Sequence, residues 1–103
     1  MKETDIMNAI RKAVSPYAII FRVNVGNFST QDGRYISTGV PKGYSDLSGH
    51  RISDGRAVYI EVKNETGRPR PEQTAFLKRM QETNAIAGIC RSPEEAVNLI
   101  LNA

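Results

Sequence analysis

GYSDLSGHRISDGRAVYIEVK runs from Gly43 to Lys63 and reads as a β-hairpin. Ser53-Asp54-Gly55-Arg56 supplies the turn, because Asp-Gly accepts the backbone angles that a tight hairpin demands. Beyond it, Val58, Ile60 and Val62 alternate with Tyr59, Glu61 and Lys63, giving the second strand one apolar and one polar face. A turn centred on Asp54-Gly55 pairs Ser53 with Arg56. Counting outward, it sets Asp46 opposite Lys63, Ser48 opposite Glu61 and His50 opposite Tyr59. Directly opposed residues project to the same side of a sheet, so Asp46, Glu61 and Lys63 converge on one polar face. The diagonal Asp46–Glu61 pair then has Cβ atoms roughly 7–8 Å apart or somewhat less. The deduction depends on loop length: an odd number of loop residues would send Asp46 to the other side from Glu61.

Outward from the hairpin, the order is helix, three or so strands, helix, strand, helix. Ile6, Met7, Ile10, Ala13 and Val14 recur at helical spacing over residues 3–14, and Pro16 ends that helix. Tyr17 to Val25 is rich in β-branched and aromatic residues and predicts a strand. Gly26 to Gly43 predicts a long irregular stretch with a short strand at Arg34 to Ser37, mobile and in contact with nucleic acid. Pro71 opens a helix to about Thr83. Ala85 to Cys90 is a short apolar strand, and Ser92 caps a last helix with Pro93 in its first turn. The fold class is α/β, a small mixed sheet flanked by helices, in a single domain over residues 1–103.

Composition is permissive. The 103 residues carry a net charge of +3 and a pI near 9.2, which allows nucleic-acid binding without demanding it. The single cysteine, Cys90, excludes an internal disulfide and a Cys-rich zinc site, and its apolar setting predicts a buried small hydrophobe. Met1 to Asp5 is acidic without an apolar signal region, and no apolar run approaches the ~18 residues of a membrane span. The expectation is a soluble, intracellular chain with no membrane partner and no organic cofactor.

Chemistry concentrates on the polar face of the hairpin. Two carboxylates, Asp46 and Glu61, supply hard oxygen ligands suited to Mg²⁺ or Mn²⁺. Lys63 beside them can position a water or stabilise phosphate oxygens. The same spacing also fits an ordinary solvated strand face. Gln73 shares a helix face with Phe76, Leu77 and Met80, where a glutamine needs partners: it either serves the site or caps its helix. Glu3 either adds a water-mediated metal contact or simply favours the helix dipole. His50, the one histidine, is a lesser acid–base candidate.

These residues in this order resemble the PD-(D/E)XK nuclease superfamily. More narrowly, they resemble the VRR-NUC domain in the short stand-alone form found in bacteriophages. The likeness spans essentially the whole chain. It is carried by Glu3, by Arg22-Val23-Asn24-Val25-Gly26, by Gly43-Tyr44-Ser45-Asp46, by Glu61-Val62-Lys63, and by Gln73 after a loop containing Gly67. One departure is Ser45, where the family usually has proline. The resemblance implies a restriction-endonuclease-like core in the order α-β-β-β-α-β-α. It implies a metal held by Asp46, Glu61 and the backbone carbonyl of Val62, with Glu3 joining through water and Lys63 and Gln73 completing the catalytic set. It implies a homodimer that resolves four-way (Holliday) junctions in DNA, in the host cytoplasm if phage-encoded. The alternatives are a nicking or flap nuclease without junction preference, and a binding module without catalysis. Arg22, Arg34, Lys42, Tyr44, Arg68 and Arg70 are the candidate nucleic-acid contacts.

Overall fold

The structure, a computed structural model, describes every residue except Gly26 and Thr38, and only the backbone of Asn27, Phe28, Ile36 and Ser37. Helix α1 spans Glu3–Val14, with Glu3 and Asp5 in its first turn and Arg11 and Lys12 in its last, as the helix dipole favours. Strands β1 (Ala18–Arg22), β2 (Asn27–Ser29), β3 (Tyr35–Ser37), β4 (Leu47–Arg51) and β5 (Ala57–Val62) follow. Helix α2 (Pro71–Glu82), strand β6 (Ile86–Cys90) and helix α3 (Pro93–Asn102) complete the chain.

The main sheet has the order β1-β4-β5-β6. Its first two pairings are antiparallel, while β6 runs parallel to β5. A parallel neighbour needs a crossover, and α2 provides it. Residues Val58, Ile60 and Val62 turn to one face, where Ile6, Met7, Ile10 and Val14 of α1 and Ala96 and Ile100 of α3 close over them as one core. Helix α3 is capped as expected: Ser92 Oγ accepts from the Glu95 backbone N–H at 3.1 Å. The other face of β5 is covered by α2, whose Phe76 meets Tyr59 edge-on at 5.5 Å between ring centroids.

This is a mixed α/β core of restriction-endonuclease type, and its main-sheet elements keep the order α-β-β-β-α-β-α. Three features differ from expectation. The stretch before Gly43 contains a second hairpin, β2 with β3, forming its own two-stranded sheet. Strand β1 is also shorter than Tyr17 to Val25, although Val23 N still donates to Asp46 O at 2.9 Å just beyond it.

The β4–β5 register is shifted as well. Ser48 lies opposite Tyr59 and His50 opposite Ala57, and the next step outward from Leu47–Ile60 brings Asp46 opposite Glu61 rather than Lys63. The loop holds four residues, not two. Arg51 N donates to Arg56 O, Gly55 N donates to Arg51 O, and Gly55 takes a φ of 74°. Arg51 holds this wider loop in place. Its guanidinium reaches Asp54 Oδ2 at 2.7 Å and the Ile100 carbonyl at the end of α3 at 2.6 Å. Two and four are both even, so the shift preserves which face each side chain takes.

Candidate active site

Asp46 and Glu61 meet where β4 and β5 begin to part. Each anchors the other's backbone: Asp46 N donates to Glu61 Oε1 at 3.1 Å, and Val62 N donates to Asp46 Oδ2 at 2.9 Å. One oxygen of each carboxylate is thus held by a backbone N–H, and the two carboxyl groups are themselves in side-chain contact. Lys63 Nζ stands 3.5 Å from Glu61 Oε2. This is not a solvated strand face, because α2 covers it and Glu61 is only 1% exposed. Burial, then the neighbouring Asp46 charge, pushes the Glu61 carboxyl up to about 7, with the Lys63 charge pulling the other way.

Gln73 sits in the first turn of α2 and is buried. Its Oε1 accepts from the Arg70 backbone N–H at 2.8 Å, so it does cap its helix. Only this half of a capping box exists, since an arginine side chain has no acceptor to return. The bond fixes the amide's orientation and leaves Nε2 without a partner among the described residues, on a side chain that lines the same cleft as Asp46. A buried donor left unpaired in this way is unusual. The capping reading of Gln73 thus holds on Oε1, and Nε2 makes no bond that would exclude the other.

The cleft has a volume of about 300 Å³ and is lined by Arg22, Val23, Asn24 and Val25 beyond β1, by Gly43, Tyr44 and Asp46, and by Arg70 and Gln73. Gly43 makes it possible. Its φ is 88°, and any Cβ there would drive into the Glu72 carbonyl. Opposite, the Glu3 carboxylate and the Lys63 stem both crowd Gly67: a Cβ on it would stand 3.1 Å from Glu3 Oε2 and 3.4 Å from Lys63 Cδ. Glu3 therefore lies beside the lysine of the site. Arg91 escaped sequence reasoning, although its Nη1 donates to the carbonyls of Asn64 at 2.6 Å and Gly67 at 2.7 Å and so holds this loop. No periodicity links residues that far apart.

The family model for the VRR-NUC domain matches residues 2–94. The chain belongs to the VRR-NUC family. Among solved structures, one described as a VRR_NUC domain is similar over 96% of this chain and 94% of its own, with a TM-score of 0.65 at 20% identity. No curated protein matches. This VRR-NUC domain is thus of nuclease type.

At the position before Asp46, Ser45 is fully buried, and its Oγ donates to the Leu47 carbonyl at 2.9 Å, tying down the backbone that leads into β4. The candidate nucleic-acid contacts are scattered. Arg22 and Arg70 flank the cleft and are exposed. Arg68 is exposed on the loop before α2, and Lys42 is exposed beside Gly43. Arg34 pairs with Asp32 at 3.0 Å on the β2–β3 hairpin, which offsets its charge. Tyr44 is built into the fold: its ring packs on Phe76 and Tyr59, and its hydroxyl donates to Ser48 Oγ at 2.9 Å. His50 is exposed, next to Ala57 in the pairing and away from the carboxylates. Among the described residues, no three His, Cys, Asp or Glu side chains cluster as a complete metal cage, and no helix is long and apolar enough to cross a membrane.

Proposed function

We propose that this VRR-NUC domain is a divalent-metal-dependent endodeoxyribonuclease that cuts branched DNA, four-way junctions foremost, as a homodimer. The observation that carries the reading is the Asp46–Glu61 pair. Two carboxylates are held against each other on a rigid sheet, one of them so desolvated that it resists ionisation. Such a pair is costly in the fold and is relieved by a shared cation. The donor set fits Mg²⁺ or Mn²⁺: the second oxygen of Asp46, Glu61 Oε2, and the Val62 carbonyl as a further hard ligand, with Glu3 reaching in through water. Two directly ligating carboxylates would match the habit of Mg²⁺, which keeps several waters and substrate oxygens. The chemistry supplied by the bound ion is acidification of a water and relief of the charge that builds on the phosphodiester.

The chain's own groups do the rest. Lys63 holds its ammonium beside the carboxylates, where it orients the attacking water or a phosphate oxygen. The Gln73 Nε2 donates to the same water or to the phosphate. Arg22 and Arg70 hold the DNA backbone at the mouth of the cleft. Resolving a junction takes two cuts related by a two-fold axis, and a homodimer supplies two sites in that relation.

The test is a panel of duplex, flap, single-stranded and four-way DNA, each incubated with the protein and Mg²⁺, Mn²⁺ or EDTA. The expected result is metal-dependent paired cuts, fastest on the four-way substrate. Equal single nicks on all branched and duplex substrates would replace the resolvase by a nicking nuclease. Binding without cleavage under every metal would leave only a binding module.

A further inference from the structure

Of the large apolar side chains exposed among the described residues, Met1, Tyr35 and Leu101 lie apart, and the other five gather around β1: Ile19 and Phe21 on it, Tyr17 just before it, Val25 beyond it, and Ile52 in the adjoining loop. Ile19 is 46% exposed and Phe21 58%. Both lie on the sheet face that carries Ser48 and Tyr59, past the reach of α2. Strand β1 is also an edge, with β4 on one side and, among the described residues, no strand on the other. Edge strands in monomers are normally blunted by lysine, proline or a bulge. Between Ala18 and Phe21 there is none, and the only charge on the strand is Arg22 at its end.

The backbone of β1 shows what would fit. Val23 N bonds to Asp46 O, and Tyr17 O accepts from Ile52 N, so the odd-numbered residues direct their backbone groups toward β4. By alternation, the N–H and C=O of Ala18, Ile20 and Arg22 point outward. These three are symmetric about Ile20. An identical strand laid antiparallel across a two-fold axis at Ile20 pairs Ile20 with its own copy and Ala18 with Arg22, satisfying all the outward groups. On the exposed face the same register sets Ile19 opposite Phe21 twice, an aliphatic–aromatic cross-strand pair of the stabilising kind. Arg22 meets an alanine and not its own copy, so no like charges oppose.

We propose that β1 is the dimer interface: two copies of this chain join edge to edge about Ile20 into one continuous eight-stranded sheet. This deepens the dimer reading above by naming its surface. The two Asp46 positions would then share one face of the sheet, offset by six residues along the strands and three strand spacings across, roughly 25 Å apart before twist.

Sedimentation of the full chain at micromolar concentration, in EDTA and without DNA, tests the interface apart from any cleavage. The wild type and Leu101→Glu, a control on exposed apolar surface of α3, should be dimers. Phe21→Glu should be monomeric, its dissociation constant raised at least ~100-fold. Hydrogen exchange on the wild type gives a reading that no variant can confound. The Ala18, Ile20 and Arg22 amides should slow with rising concentration, while those of Ile19 and Phe21, bonded to β4, should not depend on it. A monomeric wild type, or a dimer whose Ile20 amide is indifferent to concentration, overturns the interface. Cleavage is scored separately. Phe21→Glu should nick at the wild-type rate for a first cut and lose the paired second cut. Absence of all cleavage from a wild type that still dimerises through β1 would sink the nuclease reading and leave the interface standing.

Discussion

Glu61 titrates near 7 in the folded chain, against an ordinary value of 4.5. For a carboxyl whose pKa folding raises, the folded state holds the proton more tightly than the unfolded one. Its contribution is fully present below about pH 4.5 and is lost as pH rises through about 7. Glu61→Gln keeps an oxygen to accept from Asp46 N and removes the charge. In EDTA at pH 8 it should therefore stabilise the chain, by on the order of 1–3 kcal/mol, and change little at pH 5. Denaturant unfolding at both pH values measures this, and a variant less stable than wild type at pH 8 would refute it. Gln73 allows a complementary separation. Gln73→Glu retains the acceptor for Arg70 N and suits a helix N-terminus, but replaces the unpaired Nε2 with an oxygen. Turnover should fall at least ~10-fold, a loss within the range of one misplaced catalytic donor, while denaturant unfolding at pH 5 and pH 8 reads the separate cost of a further carboxylate buried in the cleft. Wild-type turnover would reduce Gln73 to a cap.

Gly43 sets how closely the segment entering β4 approaches the first turn of α2. Gly43→Ala combines a φ of 88° with a Cβ aimed at the Glu72 carbonyl. It should cost about 2 kcal/mol or more and lower Tm by roughly 8 °C or more, readable by thermal melts. An unchanged Tm would mean that the two elements separate freely. The hairpin shows why the sequence was readable here and where it stopped being so. The alternation from Val58 to Lys63 fixed which side chains share a face. An Asp-Gly pair marks where the chain turns but not how many residues the turn takes. That number was set by Arg51, whose reach to Asp54 and to the end of α3 is a tertiary contact. The facing of Asp46 and Glu61 survived because parity survived; their direct opposition did not follow from the turn residues. The helices were legible from periodicity and from Pro71 and Pro93. The β2–β3 pairing was only half legible, since short polar strands carry little pattern. The unpaired Gln73 Nε2 and the Arg91 clamp were illegible, because both arise from atoms brought together by packing.

Over the whole molecule the net charge of +3 is modest, so its placement decides what it does. Arg22 and Arg70 stand at the cleft, Arg70 with Glu72 at 3.5 Å, while the Arg34 charge is met by Asp32 at 3.0 Å on the hairpin. Arg22→Ala should weaken DNA binding and lower the slope of its logarithmic salt dependence by about 1, whereas Arg70→Ala, with Glu72 beside it, and Arg34→Ala, away from the cleft, should each change it less. An equal effect from Arg34 would show that the hairpin carries DNA as well. The central claim is that Asp46 and Glu61 form the metal centre of a nuclease. It is tested most directly by comparing cleavage of one labelled four-way DNA by wild type and by Asp46→Asn, with Mg²⁺ and with EDTA. Asparagine retains an oxygen for Val62 N, so the strands stay joined. The account predicts cleavage by the wild type with Mg²⁺ only, a loss of at least ~100-fold in the variant, and DNA binding by both. Undiminished Mg²⁺-dependent cleavage by Asp46→Asn would contradict it.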